Sequence, residues 1–240
     1  MDTQPTHSIW LRPERSGRGP VPAFDRESLA AAGIALADTH GLAAVTMRAV
    51  AGSLGSGSAS LYRYVTTREE LLELMIDQVS GEISYAGIGS GRWLDDMLTL
   101  ARRSRRLHLA HPWLLDALAS RSPLGPHTAA YLEHALAALA DVPVTPRAKV
   151  EAIGVLNAVV AALVRSEIAE RRAGRTVPQW QQARAEYLVH AAGSGRHPHL
   201  AAALAGAVPG SGDEPADELF DRVVARVLTG LLRPDAVAEG

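Results

Sequence analysis

The chain contains no cysteine, which rules out disulfides, thiolate nucleophiles and cysteine-ligated metals and suits a reducing, cytoplasmic setting. Aromatic residues are scarce, 5 % of 240 positions. No uninterrupted apolar run reaches the length that crosses a bilayer, so no membrane partner is expected. The first twenty residues hold Arg12, Arg15 and Arg18 but lack the apolar centre of a signal peptide. There is no serine elbow, no phosphate loop and no pair of carboxylates set for acid–base work. Gly55-x-Gly57 is not a dinucleotide fingerprint, because no strand precedes it and no acid follows at the right distance. Enzyme activity has no residues to stand on. Nor is there a large positive charge: the net value is −2, which excludes a wholly basic nucleic-acid binder.

What is present is helical. Hydrophobic residues make up 47 % of the chain, ample for a packed interior, and they recur at helical rather than strand spacing. No convincing strand and no internal repeat is found, so the fold class is all-α. Residues 1–23 carry four prolines, two glycines and no periodicity, the composition of a flexible arm. Asp25 is placed to cap a first helix that ends at Gly41, with Phe24 and Leu29 at staple spacing. Thr46 caps a second helix ending near Leu54-Gly55, a third runs from about Ser58 to Tyr64, and Thr67-x-x-Glu70 is a capping box for a fourth. That fourth helix carries an apolar stripe of Leu71, Leu72, Met75, Val79 and Ile83. The stripe is too long for a three-helix unit alone, so the helix is expected to join two domains. Further helices are expected at about 92–110, 113–119, 127–140, 147–173, 178–192 and 216–232. The loops between them include His197-Pro198-His199 and the Gly/Pro/acid stretch from Ala207 to Pro215.

The segment from Thr46 to Glu70 has the layout of a helix-turn-helix, whose second helix enters the major groove of DNA. Ser58 and Ser60 open the third helix and are short enough for close approach. Tyr62 and Tyr64 can donate to phosphates or pack on sugars and thymine methyls. Arg63 and Arg48 can reach a guanine or a phosphate. From Trp10 to Arg68 there are seven arginines against four acids, a local basic excess on an acidic remainder. Arg12, Arg15 and Arg18, spaced three apart in the arm, are candidates for a minor groove.

These residues carry a resemblance. Residues 25–75 resemble the amino-terminal DNA-binding domain of the TetR (tetracycline-repressor) family. The motif is Gly41-Leu-Ala-Ala-Val-Thr-Met-Arg-Ala-Val-Ala, then Leu54-Gly55, Ser60-Leu61-Tyr62-Arg63-Tyr64-Val65 and Thr67-Arg-Glu-Glu-Leu71-Leu72. The stretch from Trp93 to Leu139, with His111-Pro112-Trp113 and Leu124-Gly125-Pro126, is similar to the carboxy-terminal ligand domain of the same family. The resemblance implies a cytoplasmic homodimeric regulator of a palindromic double-stranded DNA operator, most simply a repressor released when a small molecule binds; an activator or co-repressed regulator of the same family, or a small-molecule-binding helical protein that does not bind DNA, are the alternatives. It places DNA contacts on Thr46, Arg48, Ser58, Ala59, Ser60, Tyr62, Arg63, Tyr64 and Arg68. It implies four segments: the arm 1–23, a helix-turn-helix domain 24–70, a ligand-binding and dimerisation domain 71–232 sharing the fourth helix, and a tail 233–240. Ser56 stands where the family usually has an apolar residue, and Gly57 where it usually has a serine cap. Leu118 stands where a tetracycline sensor uses a metal-binding histidine, so a magnesium–tetracycline ligand is disfavoured.

For the small molecule the candidates are His108, His111, Trp113, Asn157 and Trp180, polar or aromatic groups set among apolar helices. For the dimer interface they are Val160, Leu163 and Val164 with Phe220, Val223, Val224, Val227 and Leu228, from two helices expected to form a four-helix bundle with their mates. No metal site and no cofactor are expected: His190, His197 and His199 lack a carboxylate partner. The basic run Arg102, Arg103, Arg105 and Arg106 reads as a solvated face.

Overall fold

The computed structural model describes residues 8–12, 24–119, 125–173, 179–205 and 216–233. Among them the chain forms eleven α-helices and no strand, the all-α class expected. The first four helices are α1 (Arg26–His40), α2 (Met47–Ser53), α3 (Ser58–Leu61) and α4 (Arg68–Ser80). Each of α1, α2 and α4 starts where a side chain satisfies an orphan amide. Asp25 Oδ1 accepts from the Ser28 amide at 2.7 Å while Ser28 Oγ accepts from the Asp25 amide at 3.0 Å. Thr46 Oγ1 accepts from the Ala49 amide, and Thr67 Oγ1 from that of Glu70.

Between α2 and α3 the Ser56 amide reaches back to the Ala51 carbonyl at 2.8 Å and the Gly55 amide to that of Gly52 at 3.1 Å. This is the paired bonding of a Schellman stop, and it needs a left-handed residue at Gly55, whose φ is +67°. Regular α3 ends at Leu61, short of the expected Tyr64. Gly57 supplies no side-chain cap, and the chain tightens at once, with the Tyr64 and Val65 amides both donating to the Leu61 carbonyl. Leu29, Val45, Val50, Leu61, Val65, Leu71 and Met75 are fully buried between these helices, each worth roughly 1.5–3 kcal/mol of transfer free energy.

Residues 8–12 differ from the arm expected over 1–23. They form a short 3-10 turn over Ile9–Leu11. Ile9 is 1 % exposed and belongs to the core of the four-helix head. Ile9 and Trp10 are apolar enough to dock, and Arg12 pairs with Glu70 on α4. The prolines and glycines that made this stretch read as flexible lie mostly at 13–23, outside the described residues.

The remaining helices are α5 (Trp93–Ala110), α6 (Trp113–Ala119), α7 (Pro126–Ala138), α8 (Pro146–Ala173), α9 (Gln179–Gly193), α10 (Pro198–Ala205) and α11 (Ala216–Leu231). The expectation of a loop through His197-Pro198-His199 is corrected: α10 begins there, with Pro198 in the first helical position, where its missing amide costs nothing. A second core joins α5, α7, α8 and α11 through Met97, Leu100, Leu139, Leu156, Val160, Val164, Phe220, Val224 and Leu228. The arginine run is a solvated face only in part: Arg102 and Arg106 are exposed, but three of the four arginines are paired. Arg102 makes a two-pronged pair with Asp221 on α11, Arg105 binds Glu167 on α8 and Asp217 on α11, and Arg103 donates to the Ala86 carbonyl at 2.7 Å. The reading that no apolar run is long enough to cross a bilayer is also corrected, since α8 is long and apolar enough by length and composition. Here it buries Ala152, Ile153, Leu156, Val160 and Val164 in the second core.

The expected boundary at residue 70 falls inside one packed unit. The head's core continues through Leu72, Leu74, Ile76, Val79 and Ile83 to Leu107, Trp113, Leu114 and Ala117. The body therefore reaches into the head at the α5–α6 corner.

Candidate nucleic-acid interface

The helical pair α2–α3 is anchored from below and polar above. Leu61 and Val65 are fully buried, which turns Tyr62 and Arg63 between them outward. Tyr62 is 52 % exposed, and Arg63, Ala59 and Arg48 are exposed as well. Ser58 and Ser60 are half-buried at the start of α3. Ser60 Oγ donates to the Gly57 carbonyl at 2.6 Å and lies against Ser56 Oγ. Ser56, the polar departure from an apolar position, thus meets a hydroxyl partner. Thr46 is held as the α2 cap. An exposed tyrosine flanked by an exposed arginine, on a rigidly seated turn, can donate to phosphates and reach base edges.

Two of the expected contacts have structural employment. Tyr64 is half-buried and packs on the head core. Arg68 turns inward: its Nε donates to the Val45 carbonyl at 2.7 Å and Nη2 to the Leu42 carbonyl at 3.0 Å. It ties the α1–α2 connection to the start of α4 and so holds α2 in place. In the arm, Arg12 is committed to Glu70, and Arg15 and Arg18 lie outside the described residues. Burial alone would raise the Glu70 carboxyl, yet Arg12 and the Thr66 amide together hold it below its ordinary value.

The ligand candidates separate into two places. His111 and Trp113 sit at the junction of head and body. Asp38, in the last turn of α1, accepts from Trp113 Nε1 at 2.7 Å and from His111 Nδ1 at 2.8 Å on a single oxygen. The other imidazole nitrogen lies 3.3 Å from Glu82 Oε2. His108 lies deeper in the body, 8 % exposed. Burial, helped by Arg165, pushes its pKa down to about 4, so it is neutral at pH 7. Asn157 Oδ1 accepts from Tyr131 Oη at 2.8 Å. Tyr85 stacks on His134 with ring centres 3.9 Å apart. His108 Nδ1 and Tyr85 Oη are buried with no hydrogen-bond partner among the described residues. Trp180 belongs to α9, and its side chain is outside the described residues.

The candidates for the dimer interface mostly face inward. Val160, Val164, Phe220, Val224 and Leu228 are buried in the protomer's own second core, and Leu163, Val223 and Val227 are half-buried. Both helices are apolar on more than one side, and sequence periodicity does not say which side is outermost. The exposed apolar residues are instead Val150 and Val155 on α8 and Leu219 and Leu231 on α11.

Sequence reasoning missed two carboxylates. Besides Asp38 there is Asp77 on α4, 2 % exposed. Its Oδ1 accepts from the His127 and Thr128 amides, each at 3.0 Å, at the start of α7. An acid set among apolar residues in Leu74-Met75-Ile76-Asp77-Gln78-Val79 of the fourth helix was the available signal. Among the described residues no group of three or more His, Asp or Glu is set to hold a metal ion.

Comparison with known proteins agrees with this geometry. Residues 29–75 match the family described as bacterial regulatory proteins, tetR family, and residues 88–233 match the tetracyclin repressor-like C-terminal domain. The HTH-type transcriptional repressor DrrR1 of Streptomyces coeruleorubidus is 35 % identical over 80 % of this chain and 73 % of its own. An HTH-type transcriptional regulator of Saccharopolyspora erythraea is 36 % identical over 55 % of this chain and 56 % of its own. Among solved structures, apo ActR of Streptomyces coelicolor is 27 % identical with a TM-score of 0.70, covering 89 % of this chain and 97 % of ActR. ActR has also been solved with actinorhodin, and that structure matches with a TM-score of 0.69.

Proposed function

We propose a function from one premise: the chain belongs to the TetR family of bacterial regulatory proteins. It is a ligand-responsive DNA-binding transcriptional regulator, a repressor that leaves a palindromic operator when a small molecule occupies its body. It works as a cytoplasmic homodimer and has no enzymatic activity. The observation that carries this reading is the outward presentation of Tyr62 and Arg63 over the buried anchors Leu61 and Val65. Arg48 is exposed on the capped α2. Two such heads related by a two-fold axis address half-sites about one or more DNA turns apart, roughly 34 Å each. The exposed valines and leucines of α8 and α11 support pairing with a second copy.

For the effector, the body supplies His108 and Tyr85, whose buried polar atoms have no described partner, and the Tyr131–Asn157 pair nearby. Small-molecule sites of this kind are largely apolar with a few placed polar groups. The solved complex of ActR with actinorhodin supports a small-molecule effector. A coupling of about 1–3 kcal/mol between ligand and operator gives a shift of roughly 5- to 150-fold in affinity.

The test is selection of bound duplexes from a random pool, followed by a screen for compounds that release them. Tyr62→Ala combined with Arg63→Ala is expected to abolish binding of the selected duplex while the thermal melt stays unchanged. Full affinity in that variant would remove α3 from the interface.

A further inference from the structure

The head is joined to the body by the chain through α4 alone, and a single helix leaves rotation about its own axis to be fixed by other contacts. Asp77 supplies one, on α4 itself, by capping α7. A point of attachment away from that axis is needed to set how far the α2–α3 face swings. The packing of Leu107, Leu114 and Ala117 into the head's core supplies part of it, and Asp38 adds a directional polar clamp. It stands in the last turn of α1, separated from α4 in sequence, and one carboxylate oxygen is shared by Trp113 and His111 from the α5–α6 corner. Trp113 is itself 3 % exposed and locked in the common core. His111 is half-buried, meets the Trp113 ring edge-on and lies against Glu82 on its other side. The acceptor is thus on the head and both donors are on the body.

We infer that Asp38, through His111 and Trp113, is a specificity-determining residue for the spacing of operator half-sites. This rests on the DNA-binding dimer proposed above. In a dimer the bodies are fixed to each other, so the separation of the two recognition faces follows from the angle of each head on its own body. A head gripped at both α4 and Asp38 accepts one separation. A head held by α4 and the apolar packing of the α5–α6 corner, without the polar clamp, has a softer swing and loses less energy in meeting half-sites that are closer or farther apart. Asp38 itself touches neither α2 nor α3 through any hydrogen bond described here, so its removal acts on placement and leaves the reading surface intact.

The experiment uses the full-length protein and the duplex obtained by selection. Affinity is measured for that duplex, for versions with the half-site separation changed by one and two base pairs, and for a duplex with a single half-site. The variants are Asp38→Ala, at a partly exposed side chain, and His111→Gln. The wild type is expected to discriminate against altered separations. In both variants single half-site affinity stays within about twofold, while discrimination between separations narrows by roughly tenfold. Unchanged discrimination in both variants overturns the inference. So does loss of single half-site affinity, since the contact would then be supporting the fold of the head rather than its placement. A wild type that binds no duplex at all instead removes the reading of the chain as a DNA-binding protein.

Discussion

The carboxylate of Asp77 occupies the space that a side chain on Gly125 would need. A Cβ built at Gly125 would come within 2.2 Å of Asp77 Oδ1, and Gly125 has a φ of +149°. The α4 acid can approach the start of α7 only because the residue before that helix has no side chain and takes a conformation other residues avoid. Gly125→Ala is therefore expected to lower stability by about 1–3 kcal/mol. The check is urea unfolding of the variant against wild type. A change within error would mean that α7 can be recapped without Asp77.

Arg48 and Arg68 both fall on the DNA-binding motif, yet they are expected to behave differently. Arg68 donates to two buried-side carbonyls of the α1–α2 connection. Arg68→Ala leaves those acceptors unmet and is expected to cost roughly 1–3 kcal/mol of stability. Arg48 is exposed on α2. Arg48→Ala is expected to leave stability within about 0.5 kcal/mol but to weaken operator binding and reduce the salt slope by about one unit. Thermal melts and binding isotherms at several salt concentrations separate the two outcomes.

His108 gives a stability that depends on pH. Burial holds its folded pKa at about 4, below the ordinary 6.5. The unfolded chain takes up the proton first as pH falls, so the folded state loses stability between pH 6.5 and 4, and not above that window. From pH 7 to pH 5 this one group is expected to remove roughly 2 kcal/mol. Comparing unfolding of wild type and His108→Leu at the two pH values isolates it: the variant should lose less. An equal loss would show that His108 is not held neutral by burial.

The recognition layout was legible because it is local. Caps at Asp25, Thr46 and Thr67 and the glycine stop at Gly55 are decided within a few residues of sequence. All of these appear where spacing placed them. What could not be read was which partner an exposed-looking polar group finds across the fold. Arg68 reads as a surface cation beside a recognition helix, but its partners are carbonyls more than twenty residues away. His111 and Trp113 read as a ligand pair, but Asp38, over seventy residues earlier, claims both. The inward set of α8 and α11, five of the eight interface candidates, is taken up by the protomer's own core for a related reason. A helix that is apolar on two sides carries no mark of which side meets its own chain. Residues 8–12 show the opposite error, since composition averaged over 1–23 hid a short apolar turn within a Pro/Gly-rich stretch.

Ile9 makes that turn a wedge in the head rather than a leader before it. A recognition module can be excised at the start of α1, at Arg26. A cut there in this protein would leave Ile9 and Trp10 behind and remove roughly 1.5–3 kcal/mol from the module for the isoleucine alone. It would also strip Glu70 of Arg12 at the very joint where the fourth helix begins. The transferable unit begins no later than Ser8, and a donor lacking an equivalent plug needs one designed in.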